Sequence, residues 1–173
     1  MGVIELTQKR KRIIQIVLFI IYIGMLVFFT YECFQTGDNA SKQAGNVANA
    51  VANVQEAVTK KPVVVDNEYK KTISKLFGHY GYFCILGLVS ILFYMTFTKI
   101  KAYIRFIIHA GIGIIFAFGT EYIAEALTDG RTASIIDVGI DTLGLLTLSG
   151  IFIIIYYIVM IKKMKKDQNL EVK

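Results

Sequence analysis

The chain has 173 residues, 55% of them hydrophobic, with one proline and no tryptophan. Its formal net charge is +6 and its mean hydropathy +0.56. That balance excludes a soluble globular core, and the length allows one domain at most. Apolar runs of about 20 residues recur, the length needed to cross ~30 Å of hydrocarbon at ~1.5 Å per residue. The sequence therefore reads as an all-α integral membrane protein.

The positive charge does not point to nucleic acid. Basic residues bunch beside the apolar runs: KRKR at 9–12, then Lys99, Lys101 and Arg105, then Lys162, Lys163, Lys165 and Lys166. Such clusters set orientation against anionic headgroups. No zinc spacing, P-loop or dinucleotide fingerprint occurs, so neither a metal nor a cofactor is expected. Cys33 and Cys84 are too few for a disulfide framework and read as buried small apolar side chains.

In chain order, residues 1–12 form a basic cytoplasmic N-terminus and residues 13–34 a first transmembrane helix. That run is longer than a signal-peptide apolar region, and FQTGD follows it rather than a small-residue cleavage site. Residues 35–75 are polar and read as an extracellular loop. Within it, Ala44, Val47, Val51, Val54 and Val58 alternate in steps of three and four, which lines one face of a short amphipathic helix. That helix lies on the membrane or on the protein. Its seam also leaves room for a partner, including a homo-oligomer.

Residues 76–160 hold three more spans, at about 76–97, 102–125 and 135–160, before a basic cytoplasmic tail at 161–173. With four crossings, KRKR, the KIKAYIR loop and the KKMKK tail all lie on the cytoplasmic side; the outer loop also carries lysines, but it is long, and short flanks weigh most. Tyrosines supply the interface belts: Tyr31, Tyr80 and Tyr122 outside, Tyr94, Tyr103 and Tyr157 inside.

This topology brings polar residues to one level. His79 opens the second span, Glu121 and Glu125 close the third, Asp137 and Asp141 open the fourth, and Arg131 lies in the loop between. Ionisable groups at membrane depth are costly and face a bundle interior or a wet cavity. Glu121 and Glu125, four apart, share a helix face that Gly113 and Ala117 continue inward. Asp137, Asp141 and Gly144 share another, so the third helix is expected to pack on the fourth.

Plainer roles compete. Ser134 with Asp137 makes a capping box, in which Asp137 only satisfies backbone N–H groups. Glu125 reads equally as solvated at a helix end, Arg131 as a lipid-phosphate contact, and His79 as an interfacial histidine. His109 reads as a hydrogen-bonded packing residue. Asp141 and Glu121 resist such roles: they either bond Arg131, bind a cation or hold a proton. In the first case Arg131 is clamped by acids and presents its remaining donors to a phosphate or carboxylate.

GRTASIIDVGIDTLG resembles the signature of VanZ-like membrane proteins, through Gly130, Arg131, Ser134, Asp137, Asp141 and Gly144. HYGYFCILG, from His79 to Gly87, resembles that family's histidine-aromatic motif, with Lys75 just upstream. Glu121 falls where the family often has an aspartate and Glu125 where it often has a glutamine. Tyr82 and Tyr122 depart from positions that commonly carry glutamate. The resemblance covers about half the chain, residues 75–158.

It implies a multi-pass protein of a bacterial, Gram-positive plasma membrane, associated with resistance to the lipid-tailed glycopeptide teicoplanin. The function expected is non-enzymatic, with no catalytic residue assigned. A pocket of Arg131, Glu121, Asp141, Asp137, Glu125 and His79 would bind an amphiphile at the outer leaflet, with Ser134 as a helix cap. Membrane lipids, a lipoglycopeptide or a lipid-linked cell-wall precursor are the expected partners. The alternatives are an enzyme on an envelope lipid, through His79 and the carboxylates, and a small proton-coupled transporter.

Overall fold

A computed structural model describes residues 8–124, 127–130 and 132–171. Among them the secondary structure is helical, with no strand. The α-helices are α1 (Gln8–Cys33), α2 (Gly37–Thr59), α3 (Asn67–Ile73), α4 (Tyr82–Met95), α5 (Ala102–Gly119) and α6 (Ile135–Glu171). Two π-helical segments interrupt this pattern: π1 (Ser74–Gly81) joins α3 to α4, and π2 (Thr120–Ala124) extends α5. Four helical stretches are long and apolar enough to cross a membrane: Gln8–Cys33, Asn67–Met95, Ala102–Ile123 and Ile135–Gln168. The chain is a multi-pass membrane protein.

Two boundaries differ from the sequence expectation. The second membrane-length helix starts at Asn67 rather than near residue 76, so residues 67–75 belong to a helix and not to a loop. Its start is set by Asp66, whose carboxylate accepts the Tyr69 backbone N–H at 2.7 Å. The last helix runs to Glu171 rather than to about residue 160. Its KKMKKDQNLE end has no glycine or proline to stop it and consists largely of good helix formers.

Contacts fix the helix directions. Phe19 at the middle of α1 packs on Phe93 near the end of α4, and Phe29 near the end of α1 packs on Tyr82 and Phe83 at the start of α4. α1 and α4 are therefore antiparallel. The start of π1–α4 meets the start of α6 through His79 and Asp141, so those two run parallel. Helix α4 is central, packing on α1, α5 and α6.

Glycines allow this close approach. A Cβ at Gly87 would collide with the Leu145 backbone, and one at Gly144 would lie 2.5 Å from the Tyr80 carbonyl oxygen. Gly113 of α5 faces the Leu145 side chain, and Ala117 beside it is fully buried. Small side chains at such crossings let backbones meet where no hydrophobic driving force distinguishes helix from lipid. An aromatic cluster of Phe29, Tyr82, Phe83 and Phe116 fills the space between α1, α4 and α5.

On helix α2, Ala44 and Val51 of the expected apolar face are half-buried. Ala48 and Ala52 are its buried residues, whereas Val54 and Val58 are 66% and 77% exposed. The helix packs on α3 and π1.

At the opposite end of the bundle, Arg105 is not a free headgroup contact. It is buried and donates from Nη1 to the Met95 carbonyl oxygen at 2.6 Å, satisfying the carboxyl end of α4. His109 is buried beside it in sequence register, with Nδ1 2.9 Å from Ser90 Oγ and its ring against Tyr94 and Phe106. Cys33 and Cys84 are both buried and form no disulfide with each other.

Candidate functional site

The ionisable residues that meet inside the bundle come from a small set of irregular or terminal turns. Lys75 and His79 lie on π1 and Glu121 on π2. Asp137 and Asp141 lie on the first two turns of α6. A π-turn takes one residue more than an α-turn and shifts every following side chain around the axis, which is why such insertions are frequent at functional sites. Both π-segments in the described chain fall at this one level.

Two pairs span π1 and α6. Lys75 Nζ contacts Asp137 Oδ1 as an ion pair. One step deeper, His79 Nδ1 lies 3.0 Å from Asp141 Oδ1. The two pairs are each four residues apart on both helices, so they form successive rungs between parallel elements. Asp141 is 0% exposed and Glu121 1%, so neither points to lipid. Phe29 closes the side of His79 edge-on, with ring centroids 6.1 Å apart.

The capping box at the head of α6 is divided between helices. Ser134 Oγ accepts the Asp137 backbone N–H at 3.3 Å, as an N-cap should. The reciprocal bond does not come from Asp137. Instead Glu121 Oε1, from π2, accepts the Ser134 backbone N–H at 2.7 Å. The Asp137 carboxylate is thereby released to Lys75. Its role is more than a cap, and Glu121 acts as a cap from another helix.

His79, Glu121, Ser134, Asp137 and Asp141 thus come together. Arg131 and Glu125 lie outside the described residues. The expected shared face of Glu121 and Glu125 therefore falls in part outside the described residues; Glu121 itself lies on a π-turn. His79 is not an interfacial histidine: its side chain is 14% exposed and paired. Lys75 was legible only as a basic residue before the histidine motif. The signal that would have found it as a site residue is its spacing from His79, which equals that of Asp137 from Asp141.

At the departures from the resemblance, Tyr82 turns its hydroxyl to the Met25 carbonyl oxygen, tying α4 to α1. Tyr122 stacks on Phe118 at 4.6 Å between centroids and stays outside the polar network.

Two cavities flank this network. One, of about 570 Å³, lies among α1, α2 and π1 and is walled by Phe28, Phe29, Val47, Phe77 and Tyr82, with Glu32 on its lining. Its volume is that of a small-molecule pocket. The second, of about 450 Å³, is polar and lined by Lys70, Lys71, Lys75, Asp137 and Ser41 among others. The two share Ala40, Ala44, Ser74 and His79.

Among the described residues no group of three histidine, cysteine or carboxylate side chains is placed to hold a metal ion. Chemically, the arrangement offers an apolar compartment, a basic compartment and a buried His–Asp pair at their junction. No protein-family model, curated protein or solved structure matches the chain.

Proposed function

We propose that the chain is a VanZ-like, non-enzymatic protein of a bacterial plasma membrane that holds an amphiphile in a pocket facing the outside of the cell. The basic groups at 9–12, at 99–101 and at 162–166 stand at the end of the bundle away from His79. Loop basicity then puts that end in the cytoplasm and leaves α2 and the pocket outside. The observation that carries the reading is the adjacency of an apolar cavity to a buried polar network through His79. Ligand pockets have that character: mostly apolar walls with a few convergent polar groups. A lipoglycopeptide such as teicoplanin or a lipid-linked wall precursor presents the matching halves, and Arg131 is expected to share in holding the anionic group.

Expression in a teicoplanin-susceptible Gram-positive host tests it. The wild-type chain is expected to raise the tolerated antibiotic concentration, and Arg131→Ala and His79→Ala to abolish the rise together with antibiotic binding. Resistance and binding that survive both substitutions would sink the proposal, as would a wild-type chain that neither protects nor binds an amphiphile.

One observation favours a second reading. Asp141 holds the Nδ1 of His79, the relation by which a carboxylate orients an imidazole for general-base work. An enzyme on an envelope lipid would use His79 against a substrate seated in the cavities it lines. Covalently altered lipid in expressing cells, lost on Asp141→Asn, would establish that reading over simple binding.

A further inference from the structure

We infer that the amphiphile is a phosphate-bearing lipid, its acidic head held by Lys70, Lys71 and Lys75 and its chain lodged against Phe28 and Phe77. This rests on the amphiphile reading above and adds the head-group chemistry. Three lysines line the polar cavity against one aspartate, Asp137. Lys75 is committed to that aspartate, while Lys70 and Lys71 make no ion pair among the described residues. The cavity therefore has an excess of positive charge.

Residues 70, 71, 74 and 75 follow the spacing of one helix face, so Ser74 adds a hydroxyl donor among the three lysines. Lysine is a point-charge phosphate ligand that needs no planar fork. Free phosphate would be served by the polar cavity alone. The apolar cavity, reached across the shared residues Ser74 and His79, favours a phosphate that carries a hydrocarbon chain. An incoming phosphate would also compete with Asp137 for Lys75, coupling head-group binding to the first rung of the π1–α6 ladder.

The test uses the purified full-length chain in neutral detergent and two probes with the same fluorescent acyl chain, phosphatidic acid and diacylglycerol, read by anisotropy. Phosphatidic acid is expected to bind at least tenfold more tightly. Lys70→Gln with Lys71→Gln should reduce that preference at least fivefold and leave diacylglycerol binding unchanged, while Lys70→Arg with Lys71→Arg retains it. Circular dichroism checks folding, and the single substitution at exposed Lys71 serves if the double variant unfolds.

Equal affinity for the two probes, or a preference untouched by the glutamine substitutions, overturns the head-group assignment and leaves amphiphile binding standing. Glycerol 3-phosphate that displaces the lipid at the lipid's own concentration also overturns it, in favour of a free-anion site. Binding of neither probe removes the amphiphile reading itself.

Discussion

His79 and Asp141, 62 residues apart in the chain, meet at 3.0 Å in the interior of the helical bundle. The pair joins a π-turn of one membrane-length helix to the second turn of another. Lys75 and Asp137, with the same separation of 62, repeat the relation one step nearer the helix start. A one-residue rotation of either helix would break both rungs at once, so the ladder sets register as well as neutralising charge.

Removing one partner of the inner rung should therefore cost more than weakening it. His79→Ala leaves a fully buried carboxylate without that hydrogen bond and is expected to destabilise by about 3 kcal/mol. Asp141→Asn keeps an oxygen acceptor and is expected to cost about 1 kcal/mol. Thermal unfolding in detergent, with the double variant completing a cycle, measures both. Equal costs for the two substitutions would contradict the rung.

Helix packing makes a second prediction. Gly87→Ala drives a methyl into the Leu145 backbone and should destabilise by about 2 kcal/mol through overpacking. Gly139→Ala meets nothing within 4 Å and should be neutral or stabilising by up to about 1 kcal/mol, alanine being the better helix former. The comparison holds residue change constant and varies only the environment. A melting-temperature drop for Gly139→Ala as large as for Gly87→Ala would show that the close α4–α6 crossing is wrong.

The divided cap is open to hydrogen exchange. Glu121→Ala removes the acceptor of the Ser134 N–H and should speed exchange in the first turn of α6, whereas Glu121→Gln should largely preserve protection. Ser134→Ala removes the cap hydroxyl and is expected to cost about 1 kcal/mol. Unchanged protection in Glu121→Ala would return the reciprocal half of the capping box to Asp137.

Sidedness follows from the basic clusters and can be read by thiol labelling. In a chain with Cys33 and Cys84 replaced by alanine, Lys61→Cys should react with a membrane-impermeant maleimide on intact cells. Lys163→Cys should react only after the membrane is opened. Both lysines are exposed, so access reports the side of the membrane rather than burial. The reverse pattern would invert the bundle and put both cavities in the cytoplasm.

The sequence by itself determined the class of the molecule, because runs such as 13–34 are too long and apolar for any other solvent than lipid. It also brought His79, Glu121, Asp137 and Asp141 to one level, since alternating crossings leave those helix ends together. Periodicity carried no further. It assumes a regular α-turn, and the two π-segments break that rule where Lys75, His79 and Glu121 lie. It also weighs valine above alanine, although the buried residues of α2 are Ala48 and Ala52. Which oxygen meets which nitrogen, and that Glu121 rather than Asp137 completes the cap, was decided only by the tertiary structure. Those bonds depend on the rotation and depth of one helix against another, and neither is encoded in the spacing along a single helix.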